Sequence, residues 1–96
     1  MLPKNRRPTH PGEILLEEFL QPLGVSQAQF ARHMGWTYAK LNEIIHGKRG
    51  ITPDTAIDLS FALVTSPMFW LNLQLHYDLW EASQHVREIE PLSMAM

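Results

Sequence analysis

The 96-residue sequence contains no cysteine, which excludes disulfides and thiolate metal sites and fits a reducing cytoplasm. No run of about 18 apolar residues occurs, so no membrane span is expected. The opening MLPKNRRP is basic but leads into the polar THPGE rather than an apolar stretch, so no secretory signal is expected. No segment alternates apolar and polar residues long enough to argue a strand, and there is no internal repeat or low-complexity tract. A catalytic constellation is also missing. Glu17 and Glu18 are adjacent and diverge around a helix, and His10, His33, His76 and His85 lack metal-ligand spacing. These histidines are expected on the surface, with no metal, no cofactor and no enzymatic activity. At this length the chain forms one domain with little room for an enclosed active site.

What is present is helix punctuation. Helix 1 is expected from about Pro11 to Leu20, capped by Thr9 or His10, with Glu13 in its first turn and Ile14, Leu15, Phe19 and Leu20 inward. Pro22 and Gly24 are expected to stop it. Thr52 and Pro53 start helix 4, which carries Ala56, Ile57, Leu59, Leu63 and Val64, and Ser66 and Pro67 start helix 5. The fold class expected is all-α, with five helices.

Between helices 1 and 4, Ser26 to Arg49 holds two short capped helices and a glycine turn in 24 residues, the spacing of a helix-turn-helix. Ser26 and Gln29 form a capping box, and Phe30, Ala31 and Met34 share one face. Gly35 suits a positive φ, and Thr37 caps the second helix. There Leu41, Ile44 and Ile45 turn inward, leaving Tyr38, Lys40, Asn42, Glu43 and His46 outward until Gly47 ends the helix. Such a second helix can enter a major groove about 12 Å wide. An ordinary helical hairpin is the alternative, and charge weighs against it. Residues 1–50 hold seven Lys or Arg against four acids, a balance of +3, whereas residues 51–96 hold one against six, a balance of −5. The near-neutral total of −2 hides a basic pole around the second helix, the footprint that phosphate binding needs.

Helix 5 is apolar on two sides. At about 100° per residue, Phe69, Trp70, Leu73, Tyr77 and Trp80 share one side and Met68, Leu71, Leu75, Leu79 and Ala82 the other. One domain can bury one stripe against its own helices, so the stripe of Met68, Leu71, Leu75 and Leu79 is expected to be a dimer interface, unless the domain wraps both sides. A two-fold homodimer would present two recognition helices about 34 Å apart to a palindromic double-stranded operator.

HPGEILLEEFLQPLG (His10 to Gly24), the helix-turn-helix, HGKRGITPDTAIDLS (His46 to Ser60) and above all SPMFWLNLQ (Ser66 to Gln74) resemble the HigA branch of the XRE helix-turn-helix antitoxins, also described as VapI-like plasmid maintenance antidotes. The match runs over roughly residues 8–80. The resemblance implies a lambda-repressor-like domain with the helix-turn-helix at its centre. It also implies a small homodimer that represses its own toxin–antitoxin operon and neutralises a HigB-like toxin, a ribosome-associated mRNA endonuclease of RelE-type fold. A stand-alone repressor without a toxin is the other reading.

The expected organisation is a basic arm over residues 1–9, the domain with its C-terminal dimerisation helix over 10–83, and a flexible tail over 84–96. Gln27 and the amides at the start of helix 2 are expected to meet a phosphate. Thr37, Tyr38, Ala39 and Lys40 lie on the first exposed turn of helix 3, with Asn42 a turn on. Lys40 suits guanine O6 or N7, and Tyr38 a thymine methyl or a phosphate. Lys48 and Arg49 suit the DNA backbone. His46 stands where relatives often carry Asn, and a neutral imidazole can still donate to a phosphate. Glu43 would repel phosphate unless it accepts from a cytosine amino group. Lys4, Arg6 and Arg7 form either a DNA-contacting arm or a solubilising tail.

Overall fold

The chain is described by a computed structural model over residues 7–93. Five helices make up its regular structure. The first, α1, begins as Pro11–Ile14, widens into a π-helical stretch at Leu15–Leu20 and closes as Gln21–Leu23. After it come α2 (Gln27–Met34), α3 (Tyr38–Ile45), α4 (Pro53–Leu63) and α5 (Pro67–Ser83).

Each helix starts at a side chain that satisfies an otherwise orphaned amide. His10 Nδ1 accepts from Gly12 N–H at 2.9 Å. Ser26 and Gln29 exchange both hydrogen bonds of a capping box, at 3.1 and 2.9 Å. Thr37, Thr52 and Ser66 each accept from the amide three residues on, at 3.0, 3.3 and 3.1 Å. A cap of this kind contributes about 1 kcal/mol, so five in so short a chain matter. Gly35 closes α2 with φ 71°, whereas α4 ends at Val64 with φ 56°, a β-branched residue held where glycine is the low-strain choice.

Three expectations are corrected. Helix α1 does not stop at Leu20, because Pro22 lies inside its last turn. There Gln21 N–H reaches back five residues to the carbonyl of Leu16, and this wider turn accommodates the proline ring and its missing donor. His10 is buried rather than superficial, since it caps α1 and packs edge-on against Tyr77 with ring centroids 4.8 Å apart. Val64, expected on helix 4, is instead the C-cap just past α4, whose inward face is Thr55, Ala56 and Leu59.

The core is built from Leu15 and Leu20 of α1, Phe30 and Ala31 of α2, Leu41, Ile44 and Ile45 of α3, Ile51, Ala56 and Leu59, and Trp70 of α5. Trp70 is fully buried, donates through Nε1 to Thr65 Oγ1 at 2.7 Å, and meets the rings of Phe19 and Phe69 at 5.3 and 5.0 Å. The Phe19 contact fastens α5 to α1. On the other side of α5, Leu71 is half-buried against the core, while Met68, Leu75 and Leu79 are 55%, 52% and 50% exposed. Beyond α5, residues 86–93 form no helix and leave Val86, Ile89 and Leu92 exposed.

Candidate nucleic-acid interface

The interface is held from behind by one close backbone approach. A Cβ on Gly12 would lie 1.8 Å from the carbonyl oxygen of Ile44, so only glycine lets the start of α1 press against the last turn of α3. His10, two residues earlier, sits under the loop that leaves α3, within 3.7 Å of where a Gly47 side chain would begin. Because His10 Nδ1 accepts from an amide, its neutral ring carries the proton on Nε2. Its proton affinity is lowered from the ordinary value of 6.5, chiefly by burial; Glu13 and Asp78 oppose this, and Arg7 adds to it.

On the outward side, several of the expected site residues are already engaged by neighbouring groups. Asn42 Nδ2 donates to Gln27 Oε1 at 3.2 Å, tying the recognition helix to the start of α2. His46 Nδ1 donates to the carbonyl of Asn42 at 2.8 Å, since a carbonyl oxygen can only accept. The neutral His46 ring therefore presents an acceptor at Nε2, and donation to a phosphate from that atom requires the imidazolium. Lys40 Nζ stands 4.4 Å from the centre of the Trp36 ring, and Trp36 Nε1 donates to Asp58 Oδ2 at 3.3 Å. Arg49 donates to Glu43 Oε1 through Nε and Nη2, at 2.9 and 2.7 Å. That pair answers the expected repulsion between Glu43 and phosphate, since the carboxylate is neutralised locally.

Thr37, Tyr38, Ala39 and Lys48 are exposed, with Tyr38 54% accessible at the start of α3. The hydroxyl of Thr37 is used in its cap. Of the basic arm, Lys4 and Arg6 lie outside the described residues, and Arg7 has its guanidinium carbon 5.8 Å from the centre of the Tyr77 ring on α5.

Sequence reasoning missed Gly12, left the cap of α1 open between Thr9 and His10, and missed Gln74. The side-chain oxygen of Gln74 accepts from Ile51 N–H at 2.7 Å, reaching from α5 to the loop after α3. The His-Pro-Gly start of α1 carried a signal for the first two, because a polar residue before an N1 proline is a cap and a glycine inside an apolar helix marks a close approach. Gln74 carried none beyond its place in SPMFWLNLQ.

A helix-turn-helix family model matches residues 16–67, which takes in the later part of α1 and all of α2, α3 and α4. The chain is 43% identical to virulence-associated protein I of Dichelobacter nodosus, over 94% of this chain and 87% of that protein. It is 36% identical to antitoxin HigA-1 of Vibrio cholerae, over 95% and 90% of the two chains. Among solved structures it resembles the Pseudomonas aeruginosa antitoxin HigA, captured with the higBA promoter, at a TM-score of 0.82 and 43% identity, covering 91% of this chain and all of that one. With this helix-turn-helix and this extent of likeness, the chain belongs to the HigA family of DNA-binding antitoxins within the XRE-type helix-turn-helix proteins.

Proposed function

We propose that the chain binds operator DNA as a homodimer, represses its own toxin–antitoxin operon from the cytoplasm, and neutralises a HigB-like mRNA endonuclease of RelE type. The observation that carries the reading is the exposed first turn of α3, Tyr38 included, on a chain that superimposes on a HigA structure bound to promoter DNA. The family is one of DNA-binding antitoxins and regulators, not of enzymes.

In this reading Thr37, Tyr38, Ala39 and Lys40 meet base edges, while Gln27, Lys48 and Arg49 meet phosphates. The prior engagements fit such a role. An exposed ion pair such as Glu43–Arg49 contributes at most about 1 kcal/mol, so a phosphate competes readily for the guanidinium. The Asn42–Gln27 bond holds two rotamer-rich side chains in place before DNA arrives, which lowers the ordering cost of binding. Half-exposed Met68, Leu75 and Leu79 offer the apolar surface for a two-fold partner, with Leu71 at its inner edge.

The test is expression of the chain together with the open reading frame beside its gene, followed by co-purification and a gel shift on the shared promoter. A stable complex that shifts promoter DNA supports the proposal. A chain that shifts the promoter but never retains the neighbouring product would make it a stand-alone repressor, and one that shifts no promoter DNA would overturn the operator role.

A further inference from the structure

We propose that Gln74 is a positioning residue for operator binding: it clamps the loop carrying Lys48 and Arg49 onto α5, so that the phosphate-facing end of the DNA surface and the helix with the exposed apolar stripe move as one body. The proposal rests on the DNA-binding reading above and adds to it a residue outside the helix-turn-helix.

The loop is fastened at two points. At its start, the amides of Lys48 and Arg49 both donate to the carbonyl of Glu43, at 2.8 and 3.2 Å, which fixes it to α3. At its end, Ile51 N–H donates to Gln74 Oε1 at 2.7 Å, which fixes it to α5. The Gln74 amide is itself oriented, because its Nε2 donates to Asp78 Oδ1 one turn further along α5, at 2.9 Å. The oxygen is thereby presented to the loop and the NH₂ to the carboxylate. Gly50 lets the loop backbone lie directly on this amide: a Cβ there would stand 3.1 Å from Gln74 Cδ and Nε2.

Loss of the amide frees only the far end of the loop. The Glu43 carbonyl still holds Lys48 and Arg49 at one side, but the segment toward Ile51 becomes a hinge, and each backbone residue that must then be ordered on DNA costs conformational entropy. A leucine at position 74 would fill similar space but accept nothing from Ile51 N–H. The clamp therefore acts on where the two cations stand rather than on whether the domain folds. A phosphate contact appears in the salt dependence of binding, with about one unit of slope in log K against log salt for each contact. Global destabilisation only lowers the fraction of active protein and leaves that slope unchanged.

The experiment uses the full chain and its own promoter DNA, titrated by fluorescence anisotropy across a salt series, with melting and sedimentation run in parallel. Gln74→Leu is expected to keep the wild-type oligomeric mass while its slope becomes shallower by about 1–2 for each protomer. Gln74→Glu combined with Asp78→Asn is expected to restore the wild-type slope. The carboxylate introduced at position 74 still accepts from Ile51 N–H, and the amide introduced at position 78 donates back to it. A wild-type slope in Gln74→Leu, whatever its affinity or Tm, would overturn the clamp alone, and wild-type protein that does not bind the promoter would overturn the DNA-binding reading with it. A further check needs no variant: by amide hydrogen exchange, Ile51 is expected to be as protected as the amides of α5. Exchange as fast as in residues 86–93 would also overturn the clamp.

Discussion

The two poles of this small molecule solve opposite problems. Around α3 several polar side chains are already spoken for: Asn42 by Gln27, Arg49 by Glu43, and Lys40 by the Trp36 ring. Along the outer side of α5 the exposed stripe is apolar, with Met68, Leu75 and Leu79 each about half accessible. The first surface suits a charged, hydrated ligand whose arrival exchanges one set of polar contacts for another. The second suits a dry partner, because three half-exposed apolar side chains gain only by being covered. The charge balance of +3 over residues 1–50 and −5 over 51–96 follows the same division.

The comparison can be broken most severely by removing what joins the poles. Gly12→Ala places a methyl on the Ile44 carbonyl and forces α1 and α3 apart, so thermal denaturation is expected to show loss of the native fold or a cost of several kcal/mol. Native-like melting would mean that α1 does not brace the recognition helix.

Next, Leu75→Glu puts a charge mid-stripe on α5 and is expected to give folded monomers in dilute light scattering. A persisting dimer would show that the stripe is not the interface.

A smaller effect concerns His10. Its folded-state proton affinity lies below the ordinary value of 6.5, so the unfolded chain takes up the proton first as pH falls. The stability contributed by the neutral cap is therefore fully present above about pH 6.5 and is lost as pH drops through the lowered folded value. Denaturant melts of wild type and His10→Asn, which retains a cap acceptor without a titrating ring, are expected to diverge below that pH. Parallel curves would remove His10 as the cause.

The smallest expected effect is at Val64, where Asn tolerates the left-handed backbone better. Val64→Asn is expected to raise stability by about 0.5–1 kcal/mol in the same melts without altering operator affinity. Lost affinity would mean that the end of α4 takes part in the DNA surface.

Much of the fold was legible because caps are local chemistry. Ser26 with Gln29, Thr37, Thr52 with Pro53, and Ser66 with Pro67 announce four helix starts within three or four residues of sequence. The inward set of α3 follows from its period in the same way. What escaped depends on distant partners or on unusual hydrogen-bond registers. Nothing near Gly12 reveals that the Ile44 carbonyl will lie against it, and nothing near Gln74 reveals the Ile51 amide 23 residues away. Pro22 reads as a stop until a π-helical turn makes room for it. The positions of the expected DNA-facing residues were legible, but not their engagements, because Lys40, Asn42 and Arg49 each found a partner that periodicity alone does not specify.

The central claim is that the exposed turn of α3 reads operator DNA and takes no part in the apolar stripe of α5. Its most direct test is a gel-shift titration of the chain's own promoter at physiological salt, comparing wild type with Tyr38→Ala/Lys40→Ala, with oligomeric mass measured on the same samples. Lost base contacts of about 1–3 kcal/mol each predict at least about a tenfold weaker specific complex with unchanged mass. Equal affinity in the two proteins would contradict the account.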